Sequence, residues 1–251
     1  MKDKVSILDI KINPLNRNDI VNTLLEFTKG GQPKTAFYLN AHCVNIAYSD
    51  EEYRSILNKS DMVYAGGQGV VWASRFLGEP LPERVNILDF FDLLFKGLKK
   101  QQTTIYLLGG RKEVIKKAEE TLKNKGLKIV GSRSGFFDTT EEDIIREINF
   151  LKPDILLVGM GVPRQEKWIS AHLNGLNVHL CWAVGGVFNL FAGNLKKAPR
   201  WISDCGLEWL YLGIQDPKRL FRRYLFGNII FVYRVVKEKF NKKCKKQLKS
   251  A

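Results

Sequence analysis

The chain has 251 residues, 45% of them hydrophobic, with a formal net charge of +14, enough for one large domain with a true core or one domain plus an appendage. Four scattered cysteines (Cys43, Cys181, Cys205, Cys244) show no paired spacing, which argues against a disulfide framework or a zinc site and fits a reducing cytosol. Residues 1–20 hold no apolar run of the signal-peptide kind, and no stretch approaches about 18 uninterrupted apolar residues, so neither a leader nor a membrane-spanning helix is expected.

Apolar runs of strand type occur at Thr35–Leu39, Met62–Tyr64, Thr104–Leu108, Lys128–Val130, Ile155–Val158 and Val178–Val184. Helical patterns alternate with them, near Arg17–Thr28, Val44–Leu57, Gly69–Phe76, Leu88–Lys99, Lys112–Asn124, Glu141–Phe150 and Gln165–Asn174. This order predicts right-handed crossovers and a Rossmann-like α/β fold, with a mostly parallel sheet between two helical layers. Ligands in such sheets bind beyond the carboxyl ends of the strands, and glycines gather there: Gly66-Gly67, Gly109-Gly110, Gly159 with Gly161, and Gly185-Gly186.

The segment Pro153–Ile169 is the most informative. A buried-strand run leads into a Gly-x-Gly turn, and Pro163 then opens a helix where a missing N–H costs least. Gln165 and Glu166 fall in the first turn, near free N–H groups and the positive end of the helix dipole. Local geometry supports equally an anion pocket and an ordinary β-α turn. Leu107–Arg111 carries the same two readings more weakly. The dinucleotide fingerprint and the P-loop are both absent from the sequence. No Asp-x-Asp occurs, so a nucleotide-sugar diphosphate would be neutralised by helix starts, glycine turns and arginines rather than by a metal. No metal site and no cofactor are expected. Of the three histidines, His172 and His179 suit the surface or packing, and His42 follows a strand end where it can face a pocket.

Beyond residue 195 the character changes. Trp201–Gly213 and Lys218–Phe226 read as helices, Asn228–Val236 is apolar with aromatics, and Lys237–Lys249 is lysine-rich. From Pro217 to Ala251 the net charge is +11, against +3 for residues 1–216. A basic tail asks for a polyanionic partner. Aromatics alternating with Arg219, Arg222 and Arg223 favour an anionic membrane surface over nucleic acid, for which no recognition motif is present. Docking of those aromatics on the core is the alternative. The expected organisation is a catalytic core over 1–195 and a basic, membrane-associating helical appendage over 196–251.

Several blocks in order make the chain resemble the TagA/WecG/CpsF family of bacterial glycosyltransferases: Gly159–Trp168, Ala183–Gly193 and Ala198–Tyr211, with weaker matches at Asn40-Ala41-His42, Gly69–Ala73, Arg84-Val85 with Asp89, and Leu107–Gly110. The resemblance implies metal-independent, inverting transfer of N-acetylmannosamine from a UDP-sugar to N-acetylglucosaminyl-diphospho-undecaprenol, in cell-wall or surface-polysaccharide synthesis. It implies a cytoplasmic enzyme, peripheral on the inner face of the membrane; a homo-oligomer is compatible with it. Carried over by position, Arg84, Asp89 and Gln165 are catalytic-site residues. Asn40, Gly109, Gly110, Gly159, Gly161, Glu166, Gly185, Gly186 and Asn189 line the donor site. Arg219, Arg222 and Arg223 meet the acceptor diphosphate.

Four departures stand out. Gly66 occupies the position of the aspartate proposed as the family's general base, Tyr38 a usual threonine, Ile87 a usual glycine and Leu212 a usual arginine. Glycine cannot accept a proton. A UDP-sugar-binding homologue with impaired catalysis, a member using a different UDP-sugar, and another base such as Asp89 or Asp61 are therefore the competing expectations.

Overall fold

The computed structural model describes residues 3–136, 139–196, 198–199, 201–202, 205–215 and 222–250, with side chains in the last segment described over 226–241. A hairpin of β1 (Val5–Ile7) and β2 (Ile10–Ile12) precedes the main sheet. No strand is expected there from the sequence. Its tip, Leu8-Asp9, takes positive φ at both residues (49° and 62°) without a glycine, so the usual hairpin signal is missing.

The main sheet has six strands, β3 (Lys34–Leu39), β4 (Met62–Ala65), β5 (Thr104–Gly109), β6 (Lys128–Arg133), β7 (Ile155–Gly159) and β8 (Leu180–Ala183), in the order β4-β3-β8-β7-β5-β6. Every neighbouring pair is parallel, as the alternation of elements predicts. The chain fills the sheet outward to one edge, then to the other, and inserts β7 and β8 last in the middle. That topology brings the ends of β3, β5, β7 and β8 together.

Both faces are buried, which is why the strands read as continuous apolar runs. Phe37, Leu39, Val63, Tyr106, Leu108, Leu156, Val158 and Cys181 point to one face. Ala36, Met62, Tyr64, Ile105, Leu107, Ile155, Leu157 and Trp182 point to the other. Helices cover both: α1 (Arg17–Phe27), α2 (Ala41–Ser49), α3 (Glu51–Lys59), α4 (Gln68–Leu77), α5 (Ile87–Lys100), α6 (Lys112–Asn124), α7 (Glu141–Leu151), α8 (Arg164–His172) and α9 (Val187–Phe191). The single helix expected over Val44–Leu57 is two, because Asp50 leaves helical geometry and caps α3 by accepting the Tyr53 N–H.

The C-terminal part contains α10 (Glu208–Gln215) and a 29-residue α11 (Arg222–Ser250). The apolar and lysine-rich stretches separated in the sequence reading are one continuous helix. It packs on α2 and α4, and Phe231 and Val235 join the same core cluster as the strands. Arg234 donates to the Asn45 carbonyl and Oδ1, both at 2.9 Å, and lies 4.1 Å over the Tyr48 ring. Glu238 accepts the Leu8 N–H at 2.8 Å, fastening the hairpin tip to α11.

Candidate functional site

One cavity of about 1210 Å³ opens at the carboxyl ends of the strands, where a sheet of this topology exposes its backbone. Its floor takes Tyr38 in β3 and Asn40 after it, Gly66 and Gly67 after β4, Gly110 and Arg111 after β5, Gly159 at the end of β7 with Met160 to Val162 beyond it, and Val184 to Asn189 after β8. Its far wall is Leu212 of α10 and Asn228, Phe231, Val232, Val235 and Val236 of α11, facing Trp72, Ala73 and Phe76 of α4.

Helix capping is mixed around the sheet, and two helices that start at the cavity, α2 and α5, are capped by the side chains of Asn40 and Asn86. Helices α1, α3 and α7 begin with Asn16, Asp50 and Thr140, each accepting an N–H of the first turn. Helices α4, α6 and α8 begin with Gly67, Arg111 and Pro163 and have no side-chain cap. All three start at the cavity. At α4 and α6 first-turn N–H groups without an N-cap side chain, together with the helix dipoles, favour an anion there, whereas at α8 the Gln165 N–H already bonds the Gly161 carbonyl at 2.9 Å and the dipole remains. The cavity also receives three arginines, Arg84, Arg111 and Arg164, against a single carboxylate among its described lining residues, Glu208. Arg111 and Arg164 are exposed. Sequence reasoning passed over both; their place at the first residues of helices that follow glycine turns was the signal.

The glycines divide by role. A Cβ on Gly109 (φ 148°) would meet the Gly159 backbone at 2.5 Å, and one on Gly185 (φ 59°) would meet the Tyr38 hydroxyl at 2.4 Å. These two, with Gly159 against Phe188, let strand ends and side chains pack closely. Gly161 and Gly186 have open space where a Cβ would stand; they leave backbone exposed to the cavity. Gly110 also lines it, its N–H bound to the Gly159 carbonyl at 3.1 Å.

Gln165 and Glu166 lie in the first turn of α8 as expected, but both side chains are fully buried behind the cavity wall. Gln165 Oε1 accepts the Gly185 N–H at 3.1 Å, and its Nε2 donates to Glu166 Oε1 at 2.7 Å. Gln165 therefore braces the β8 turn from inside. Glu166 Oε2 has no hydrogen-bond partner, and burial pushes its carboxyl up to about 7. Tyr53, whose hydroxyl is driven above its ordinary range by burial, interacts with Cys43, Glu166 and Tyr38, extending this polar cluster toward the cavity.

Asn40 caps α2 by accepting the Cys43 N–H at 3.0 Å and, with His42, lines the cavity. Asn189 lines it too. His172 and His179 do not; their ring nitrogens contact the Trp168 and Thr28 carbonyls. Arg219 lies outside the described residues. Arg222 and Arg223 are in the first turn of α11, with side chains outside the described set.

Arg84, at 10% side-chain exposure, holds Glu208 through Nη1 and Asp89 through Nη2, the latter at 3.0 Å. Asn86 Nδ2 donates to both Glu208 oxygens at 2.7 and 2.8 Å. Asp61 accepts from Lys34 Nζ and from Thr35 N–H and Oγ1, at the amino end of the strands and so remote from the cavity. At Gly66 a Cβ would stand 3.2 Å from Tyr38 Cβ and 3.4 Å from Tyr38 Cδ2. The departures at 38 and 66 are thus neighbours across β3 and β4, with the tyrosine ring beside the glycine.

Among the described residues no helix is long and apolar enough to cross a membrane, and no group of three or more His, Cys, Asp and Glu is placed to hold a metal ion.

The family model described as Glycosyl transferase WecG/TagA/CpsF family matches residues 5–245. Proteins named N-acetylglucosaminyldiphosphoundecaprenol N-acetyl-beta-D-mannosaminyltransferase, from Staphylococcus aureus strains MW2 and NCTC 8325 / PS 47, are each 31% identical to the chain over 239 residues, covering 94% of it and 93% of their own length.

Proposed function

The chain belongs to the WecG/TagA/CpsF glycosyl transferase family, and from that premise we propose that it moves N-acetylmannosamine from UDP to N-acetylglucosaminyl-diphospho-undecaprenol. The two-part lining of the cavity carries this reading. One end offers uncapped helix starts and arginines, suited to a nucleotide diphosphate. The other is an apolar wall of α4 and α11, suited to the first isoprene units of a lipid-linked acceptor.

In this reading the starts of α6 and α8, with Arg111 and Arg164, meet the UDP diphosphate. Gly161 and Gly186 let it approach the backbone, and Asn189 faces the uridine. Gln165 keeps the Gly185 turn in place. Arg84, with both Nη groups engaged, orients carboxylates rather than clamping phosphate. Arg219 and Arg222 balance charge on the acceptor diphosphate or the departing UDP. No metal and no further cofactor is invoked. The exposed face of α11, with Phe226, Ile229, Tyr233 and Phe240 among lysines, rests on anionic lipid at the inner face of the membrane, each basic residue near the surface adding about 1 kcal/mol.

The test is UDP release with a panel of UDP-sugars and a short-chain lipid-diphosphate acceptor, with and without chelator. N-acetylmannosamine transfer in the presence of chelator supports the reading. Faster release from another UDP-sugar reassigns the donor, and UDP binding without transfer by any donor points to a homologue that has lost catalysis.

A further inference from the structure

Transfer with inversion needs a group beside the acceptor hydroxyl to take its proton, and Gly66 offers none. Glu208 is the only carboxylate among the described residues lining the cavity. It arrives from the C-terminal segment, 124 residues from Arg84 in sequence, and two contacts bring it to the side of the cavity formed by the end of β4 and the start of α4. The Val85 N–H, between Arg84 and Asn86, bonds the Ala65 carbonyl at 2.8 Å, so the two residues that hold Glu208 flank the strand end where Gly66 sits. Gly206 lies against the first turn of α4, where a Cβ would meet Gln68 Cγ at 2.8 Å and the Trp72 ring at 2.9 Å. The segment 205–209 therefore crosses the start of the helix that follows Gly66 and Gly67.

Resting on the glycosyl-transfer reading above, we propose that Glu208 is the catalytic base of this chain. A carboxylate offers about four lone-pair positions. Arg84 and Asn86 supply three donor contacts, leaving room for one incoming hydroxyl. In the step, the acceptor O–H proton passes to Glu208 while the oxygen's electron pair forms the bond to the sugar anomeric carbon. The bond from that carbon to the diphosphate breaks, and UDP leaves with its electrons. Glu208 then releases the proton to water. Arg84, Asn86 and, through Arg84, Asp89 are positioning residues.

The experiment compares wild type, Glu208→Gln and Glu208→Asp for UDP affinity by calorimetry and for kcat across pH. Glu208→Gln is expected to bind UDP as wild type does and to lose about 10²–10⁴-fold in kcat. It should also lose the acidic limb of the kcat profile. Glu208→Asp shortens the side chain and sacrifices contacts with Arg84 and Asn86, yet keeps a proton acceptor, and should exceed Glu208→Gln in kcat by about tenfold or more. A purely structural role ranks them the other way. Glu208→Gln within threefold of wild type, or equal to or above Glu208→Asp, overturns the assignment while leaving the transfer reading intact. Wild type that binds UDP but transfers from no donor sinks both.

Discussion

Gln165 and Gly185 are joined by a fully buried hydrogen bond, the Gly185 N–H donating to Gln165 Oε1 at 3.1 Å. It couples the first turn of α8 to the turn after β8, two elements that border the cavity from different strands.

Gln165→Ala leaves that N–H without its acceptor, a loss of about 1–3 kcal/mol for a buried donor. Thermal denaturation should show a drop of that size. Because the Gly185-Gly186 turn is then free to shift, UDP affinity by calorimetry should weaken about tenfold, or about 1.4 kcal/mol. Unchanged UDP affinity would separate the brace from the donor site.

Glu166 gives stability a pH dependence. Burial favours its protonated form in the folded chain, raising the carboxyl from 4.5 to about 7. Its contribution is full below about pH 4.5 and declines as pH rises to about 7. Glu166→Gln does not titrate, so above pH 7 the variant should be the more stable by up to about 3 kcal/mol, with the advantage fading toward pH 4.5. Melting curves across that range check both sign and window; a constant offset would refute it.

Gly185→Ala drives a methyl into the Tyr38 hydroxyl and places a Cβ at φ 59°. A loss of about 2 kcal/mol or more is expected, of which about 1–2 kcal/mol is backbone strain. Tyr38→Phe removes the oxygen, leaving Cζ at 3.2 Å as the nearest atom, and should recover only the steric part. Denaturant midpoints of the two single variants and the double variant measure the coupling directly.

Serine at Ile229, Ile230 and Tyr233, whose exposures are 64%, 45% and 65%, should leave thermal stability within about 1 kcal/mol. Cosedimentation with phosphatidylglycerol vesicles should weaken by tenfold or more, and the binding of both proteins should fall with added salt.

The sheet was legible because both its faces are buried and its strands read as unbroken apolar runs. Helix α6 was legible to its end residues because Ile115, Ala118 and Leu122 form a single buried stripe. The hairpin was not, since Leu8-Asp9 makes its turn without a glycine; the break at Asp50 was marked only by the polar run Ser49-Asp50-Glu51-Glu52, which an exposed turn of one continuous helix would also carry. In the candidate site, the glycine turns and the crossing of helix starts were readable from local chemistry. Which glycines face open space was not, because Gly185 and Gly161 differ only in what other strands bring against them. The pairing of Glu208 with Arg84 and Asn86 was equally hidden: it depends on where segment 205–209 crosses α4, a contact no local pattern encodes.

Helix α11 bounds the cavity with Phe231, Val232, Val235 and Val236, and the strap from β8 to α10 delivers Glu208. Ribosomal synthesis completes the six strands and their glycine floor before either is made, at a pace of roughly 5–20 residues per second. A nascent chain thus passes through a stage with a finished glycine floor and the α4 side of the apolar wall, but without the α11 side and without Glu208. The part of the apolar wall that α11 supplies and the exposed face carrying Phe226, Ile229, Tyr233 and Phe240 are therefore made in the same seconds of the chain's life.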